Sequence, residues 1–219
     1  MTLGNEANAR SETLRIVGLG GSLRPNSTSR AALEVALQGA GEAGAEIELL
    51  DLHVLKLPMY DPGSEDVPES VTRLVESTYV SDAMIWSSPL YHGSISGSFK
   101  NALDWLILLG KREPSYLADK VIGLISVAGG TQGLQAINTM EFIVRALRGW
   151  AVPLVVPIPQ SWQAFDETSK PSDPQIEESL KALGKEVARI AQRWSRKEIA
   201  EPGAACAEAA KRLALVAGK

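Results

Sequence analysis

The chain has 219 residues, 45% of them hydrophobic, and a formal net charge of −4. That balance supports a well-packed core in one fairly large domain and excludes both a disordered chain and the basic surface of a nucleic-acid binder. One cysteine, Cys206, and two histidines, His53 and His92, exclude an internal disulfide and leave no ligand set for a cysteine- or histidine-rich metal site.

Residues 1–13 are polar and read as an N-terminal extension without the apolar stretch of a signal peptide. No segment reaches the ~18 apolar residues that a membrane helix needs, so a cytoplasmic protein without membrane insertion is expected. Leu14–Gly20 reads as a buried strand, Ser27–Ala43 as a helix with Leu33, Leu37 and Ala40 on one stripe, and Ala45–Asp51 as an alternating strand. A long loop rich in turn residues follows, and Pro68 then opens a helix that carries Val71, Leu74 and Val75. Ala83–Ser87 is the third strand, and Gly97–Leu109 is a helix with Phe99, Leu103 and Leu106 at core spacing. Lys120–Val127, Gln132–Gly149 and Pro153–Ile158 read as strand, helix and strand. The strongest helix is Ser172–Ser195, where Ile176, Leu180, Leu183, Val187, Ile190 and Trp194 repeat every three or four residues. The main domain is thus 14–196, and the alanine-rich residues 197–219 read as a helical tail.

Five strands alternating with helices imply a five-stranded parallel sheet covered on both faces. Ligands of such sheets collect at the carboxyl ends of the strands. Three turns there carry unusual residues.

The first, GLGGSLRPNSTSR, meets only part of a dinucleotide fingerprint, because Leu23 stands at the third glycine position. It lacks the lysine of a triphosphate loop, and no G-x-S-x-G elbow exists elsewhere. What remains is Ser22, Arg24, Ser27, Thr28 and Ser29 at a helix start. Unpaired N–H groups, hydroxyls and one guanidinium suit a single phosphate monoester. The same residues also suit an ordinary turn capped by Asn26 or Ser27.

The second turn holds Pro89, Leu90, Tyr91, His92, Gly93 and Ser94, and the third holds Gly129, Gly130, Thr131, Gln132 and Gly133. Ring surface and a glycine-lined backbone suit the edge of a flat conjugated ring. In a flavodoxin-like sheet of order 2-1-3-4-5 the three turns meet where strands one and three adjoin. A phosphate cup beside a flat slot has the shape of FMN.

The segments GSLRPNSTSR, SPLYHGSISGSFKNALDW and AGGTQG resemble the NAD(P)H-dependent FMN reductase family over about residues 14–160. The second segment is the most specific. The resemblance implies a flavodoxin-like three-layer α/β sandwich in which Ser22, Arg24, Ser27, Thr28 and Ser29 hold the FMN phosphate. Pro89 to Ser94 would border the isoalloxazine, and Gly129 to Gly133 its pyrimidine side. Two departures stand out: Ser96 replaces the usual proline, which implies a looser turn, and Ser29 stands where many members have asparagine.

The family implies hydride transfer from NADPH or NADH through FMN to a small-molecule acceptor such as a quinone, an azo dye, a metal oxyanion or flavin. No catalytic side chain and no metal are implied. Alternatives are a flavodoxin-type electron carrier, or a reductase that supplies free reduced flavin to a monooxygenase. Members form homodimers or homotetramers, and the loop Leu57–Asp61 resembles one that reaches a partner subunit. Asp104 reads as an ion-pair member, and Trp150 and Trp162 as buried packing residues that compete with a role in an acceptor pocket.

Overall fold

The computed structural model describes residues 13–64 and 66–195. The expected tail at 197–219 and all but the last residue of the expected extension lie outside the described residues.

Five long strands form the sheet: β1 (Arg15–Gly20), β2 (Glu46–Asp51), β3 (Ala83–Tyr91), β5 (Val121–Val127) and β6 (Trp150–Ile158). They are parallel and stand in the order β2-β1-β3-β5-β6, while the two-residue β4 (Ser94–Ile95) pairs antiparallel with the end of β3. The order of the long strands is the one expected; β4 is an addition that the sequence reading gave to a loop. The helices are α1 (Thr28–Glu42), α2 (Leu52–Leu55), α3 (Glu69–Val80), α4 (Gly97–Trp105), α5 (Leu134–Ala146), α6 (Ser161–Ala164) and α7 (Pro174–Ser195).

Side chains alternate across the sheet because successive Cβ atoms of a strand point to opposite faces. Val17, Leu19, Met84, Trp86, Ile122 and Leu124 join one core with α3, α4 and α5. Ile16, Ala83, Ile85, Val121 and Ile125 join the other with α1 and α7.

Several boundaries differ from the sequence reading, each for a local reason. β3 runs on through Pro89 to Tyr91, because β1 ends opposite Ser87 and leaves β3 a neighbour on one side only. A proline without an N–H is tolerated there. β6 begins at Trp150 rather than Pro153, since it is an edge strand and its pairing with β5 shifts register between Ile122 and Leu124. The helix expected over Gly97–Leu109 is α-helical only to Trp105 and tightens into a 3₁₀ segment at Leu106–Lys111. Asp51 accepts the His53 N–H at 3.0 Å and so caps α2, inside what reads as loop.

α1 and α7 pack backbone to backbone. A Cβ at Gly184 would overlap the Ala36 carbonyl oxygen, and one at Gly39 would overlap the Lys181 backbone. Alanine normally gains about 0.5–1 kcal/mol over glycine inside a helix. Here the obstacle is rigid backbone, and overpacking costs about 1–3 kcal/mol or more. Gly184→Ala is therefore expected to lower the urea-unfolding midpoint; an unchanged or raised midpoint would show that the helices can move apart freely.

Candidate functional site

The carboxyl ends of four strands lie side by side. Gly20 pairs with Ser87, Pro89 with Val127, and Val127 with Ile158. The three turns singled out in the sequence leave from these ends, on either side of the point where the chain order reverses.

The first turn is pressed onto β3. A Cβ at Gly20 would overlap the Ser87 carbonyl oxygen, so only glycine admits this approach. Gly21, at φ +88°, donates its N–H to the same carbonyl at 3.3 Å. Ser87 Oγ then donates to the Ser29 carbonyl at 2.7 Å. Ser27, not Asn26, caps α1 by accepting the Arg30 N–H at 3.4 Å, and its hydroxyl lies 2.8 Å from that of Ser29. Ser22 is buried and accepts the Arg24 N–H at 3.2 Å. Thr28 is half-buried and Arg24 exposed. The first turn of α1 holds no acidic residue of its own to offset its positive dipole end. Ser87 is the supporting residue that the sequence reading missed, since nothing in a buried strand serine marks its partner 58 residues away.

The second turn is a two-residue hairpin. His92 (φ +50°) and Gly93 (φ +84°) link the paired Tyr91 and Ser94, as a mirror-image turn requires. Leu90 is half-buried, Pro89 is buried, and Tyr91 is 51% exposed. The turn is not loosened by Ser96. Ser96 is 2% exposed, accepts the Phe99 N–H at 3.2 Å as the cap of α4, and donates its own N–H to Ser88 Oγ at 3.1 Å. Serine supplies a cap and a donor that proline lacks.

The third turn leads into α5. Nothing lies within 4 Å of where a Cβ would stand on Gly129 or Gly130. Thr131 and Gln132 are exposed, and Gly133 precedes α5 without any side-chain cap, leaving first-turn N–H groups of the helix open. Beneath this turn, Ser126 Oγ and Gln135 Oε1 are buried with no hydrogen-bond partner among the described residues. The turn is braced by the segment that follows β6: Ser161 donates its N–H to the Ala128 carbonyl and Gln160 to that of Gly130, both at 2.9 Å.

Other residues weighed from the sequence take ordinary places. Asp104 pairs with Lys100 at 2.6 Å. The loop at Leu57–Asp61 is held by its own chain, for Pro58 O accepts from Asn101 Nδ2 and Trp105 Nε1, each at 2.9 Å, while Met59 stays 80% exposed. Trp150 and Trp162 are not buried: they are 58% and 72% exposed. Cys206 lies outside the described residues. Among the described residues no three His, Cys, Asp or Glu groups gather as a metal site, and no helix is long and apolar enough to cross a membrane.

The NADPH-dependent FMN reductase family matches residues 14–163. An NADPH-dependent FMN reductase, ArsH, of Rhizobium meliloti is 34% identical over 157 residues, 71% of this chain and 63% of the relative. The chain thus spans less than two thirds of that relative's length. A probable NADPH:quinone oxidoreductase 2 of Oryza sativa is 29% identical over 81% of this chain and 89% of its own. Among solved structures, the flavoenzyme NAD(P)H:(acceptor) oxidoreductase FerB of Paracoccus denitrificans superposes with a TM-score of 0.67 at 22% identity, covering 83% of this chain and 98% of its own. That likeness shows the flavodoxin-like fold.

Replacing Ser96 by proline, the residue usual in the family motif, removes a helix cap and a buried hydrogen bond. It is expected to destabilise the protein by about 1–3 kcal/mol. Thermal and denaturant unfolding of the variant check this; equal stability would show that the Ser88–Ser96 link contributes nothing.

Proposed function

The chain belongs to the NADPH-dependent FMN reductase family, and on that premise we propose that it is an FMN-dependent oxidoreductase passing hydride from NADPH or NADH to a small-molecule acceptor. Quinones, azo compounds, metal oxyanions and flavin are the acceptor classes. The observation that carries the reading is the meeting of three turns at one strand reversal, a hydroxyl-rich helix start on one side and two glycine-bearing turns on the other.

The residues present fit FMN. Ser22, Arg24, Ser27, Thr28 and Ser29 lie at or just before a helix start whose first turn carries no acid, which suits a phosphate dianion. A lone guanidinium with hydroxyls suits one terminal phosphate better than a triphosphate. Pro89 to Ser94 would border the ring, and the open Cβ positions of Gly129 and Gly130 leave room for its flat edge. When bound, FMN supplies the hydride chemistry itself. The chain binds and orients: the open N–H groups ahead of α5 are placed to stabilise negative charge at a ring edge. Hydride transfer needs no side-chain acid or base, and none is assigned.

We further infer a cytoplasmic homodimer or homotetramer. Met59, Ile107 and Leu108, all exposed around α4, support an apolar contact between copies.

Anaerobic mixing of the yellow protein with NADPH is expected to bleach the flavin within seconds; colour that persists would favour an electron carrier instead. Arg24→Ala is expected to weaken FMN binding by about 1.5–3 kcal/mol, the worth of a charged hydrogen bond. Fluorescence titration of the stripped protein measures this, and an unchanged affinity would remove Arg24 from the phosphate site.

A further inference from the structure

Trp162 is 72% exposed, and among the described residues it makes no ring contact. Its counterpart Trp150 differs: that ring meets Trp194 edge to face, with centroids 5.1 Å apart. An indole this exposed contributes little to the core, because burial is what makes aromatic side chains stabilising.

The backbone beneath Trp162 is firmly held. The two residues before it are bonded to Ala128 and Gly130 of the third turn, at 2.9 Å each. After it, Ala164 and Phe165 are 4% and 8% exposed and belong to the core on the α1 and α7 side. Phe165 bridges to Pro171, and Ser172 donates its N–H to the Ala164 carbonyl at 2.9 Å. Two residues along a helix correspond to about 200° of rotation. Since Ala164 faces the core, Trp162 faces away from it.

Strand register gives the position relative to the slot. Tyr91 follows Pro89, Gly129 follows Val127, and Trp162 follows Ile158, and these three strand positions are lateral neighbours. Tyr91, 51% exposed, thus leaves the sheet one strand to one side of the side-chain-free Gly129 and Gly130, and the backbone at Trp162 one strand to the other.

We propose that Trp162 is the aromatic wall on which a planar acceptor stacks, so that it sets the preference for aromatic acceptors over small inorganic ones. The inference rests on the reductase reading given above. The transfer it serves is balanced: NADPH gives up a hydride, and a naphthoquinone takes its electron pair and proton together with one proton from solvent to become the hydroquinone. Ferricyanide, the contrasting acceptor, takes one electron per ion and offers no ring face to stack.

The test compares FMN-loaded wild type, Trp162→Ala and Trp162→Phe in steady-state NADPH oxidation with a methylnaphthoquinone and with ferricyanide. In Trp162→Ala the ratio of kcat/KM for quinone over ferricyanide is expected to fall about two- to tenfold, carried by a higher quinone KM. Trp162→Phe should restore most of the ratio, which a purely structural role would not do. An equal ratio in all three proteins, with an active wild type, overturns this inference alone. A loss explained wholly by weaker FMN binding, or by a changed assembly mass in light scattering, overturns it too, by making Trp162 a flavin ligand or an interface residue. A wild type that oxidises no NADPH with either acceptor overturns the reductase reading and this inference with it.

Discussion

The contact between the end of β1 and the end of β3 fixes everything that follows. Gly20 has no side chain, so its backbone lies against the Ser87 carbonyl, and Gly21 donates to that same oxygen. The Ser87 hydroxyl reaches onward to the carbonyl of Ser29, within the first turn of α1. One strand residue therefore holds both ends of the hydroxyl-rich turn. A larger residue at position 20 would push β1 away from β3, and the turn, the helix start and the slot beside it would move together. Buried carbonyls need partners, and here satisfying them also sets the site.

The helix carrying that turn is anchored from its far side. α1 meets α7 closely enough that Gly39 and Gly184 cannot carry side chains. Packing of this kind resists small displacements, because interiors are close to crystal density. The dipole end of α1 is thus presented at a fixed place. Electrostatics near it are also arranged. Asp51, only 5% exposed at the end of β2, would oppose an anion, and Arg30 stands 3.4 Å from its carboxylate. The pair lets a buried acid cap α2 with less cost to the anion-favouring potential at α1.

Much of this was legible in the sequence, for identifiable reasons. Buried parallel strands read as short apolar runs, and α7 shows its stripe from Ile176 to Trp194, so element order followed, while the strand order came with the flavodoxin-like fold type. The three turns were legible because glycine, serine and arginine cluster where strands end. Other features had no local signal. Pro89 argues against strand by itself, and only its position beside a missing neighbour explains why β3 runs through it. The Ser88–Ser96 and Ser87–Ser29 bonds join residues 8 and 58 positions apart, and their partners emerge only when the sheet is assembled. The exposure of Trp150 and Trp162 ran against the ordinary expectation for tryptophan.

That exposure changes how the crevice is understood. A site that had only to retain a cofactor would gain from closing apolar side chains over it. Here Tyr91 and Trp162 are left open to solvent, and the positions a Cβ would take on Gly129 and Gly130 are unfilled. On the FMN reading proposed above, the charged contribution comes from the first turn, where one guanidinium and a helix dipole suit a phosphate. With the anchor placed at one end, the ring end has no need to be enclosed. On the reading proposed above, separating a charged grip from an open apolar end would let bound FMN keep one face available to molecules that come and go, and the bonds from Gln160 and Ser161 hold the third turn in place.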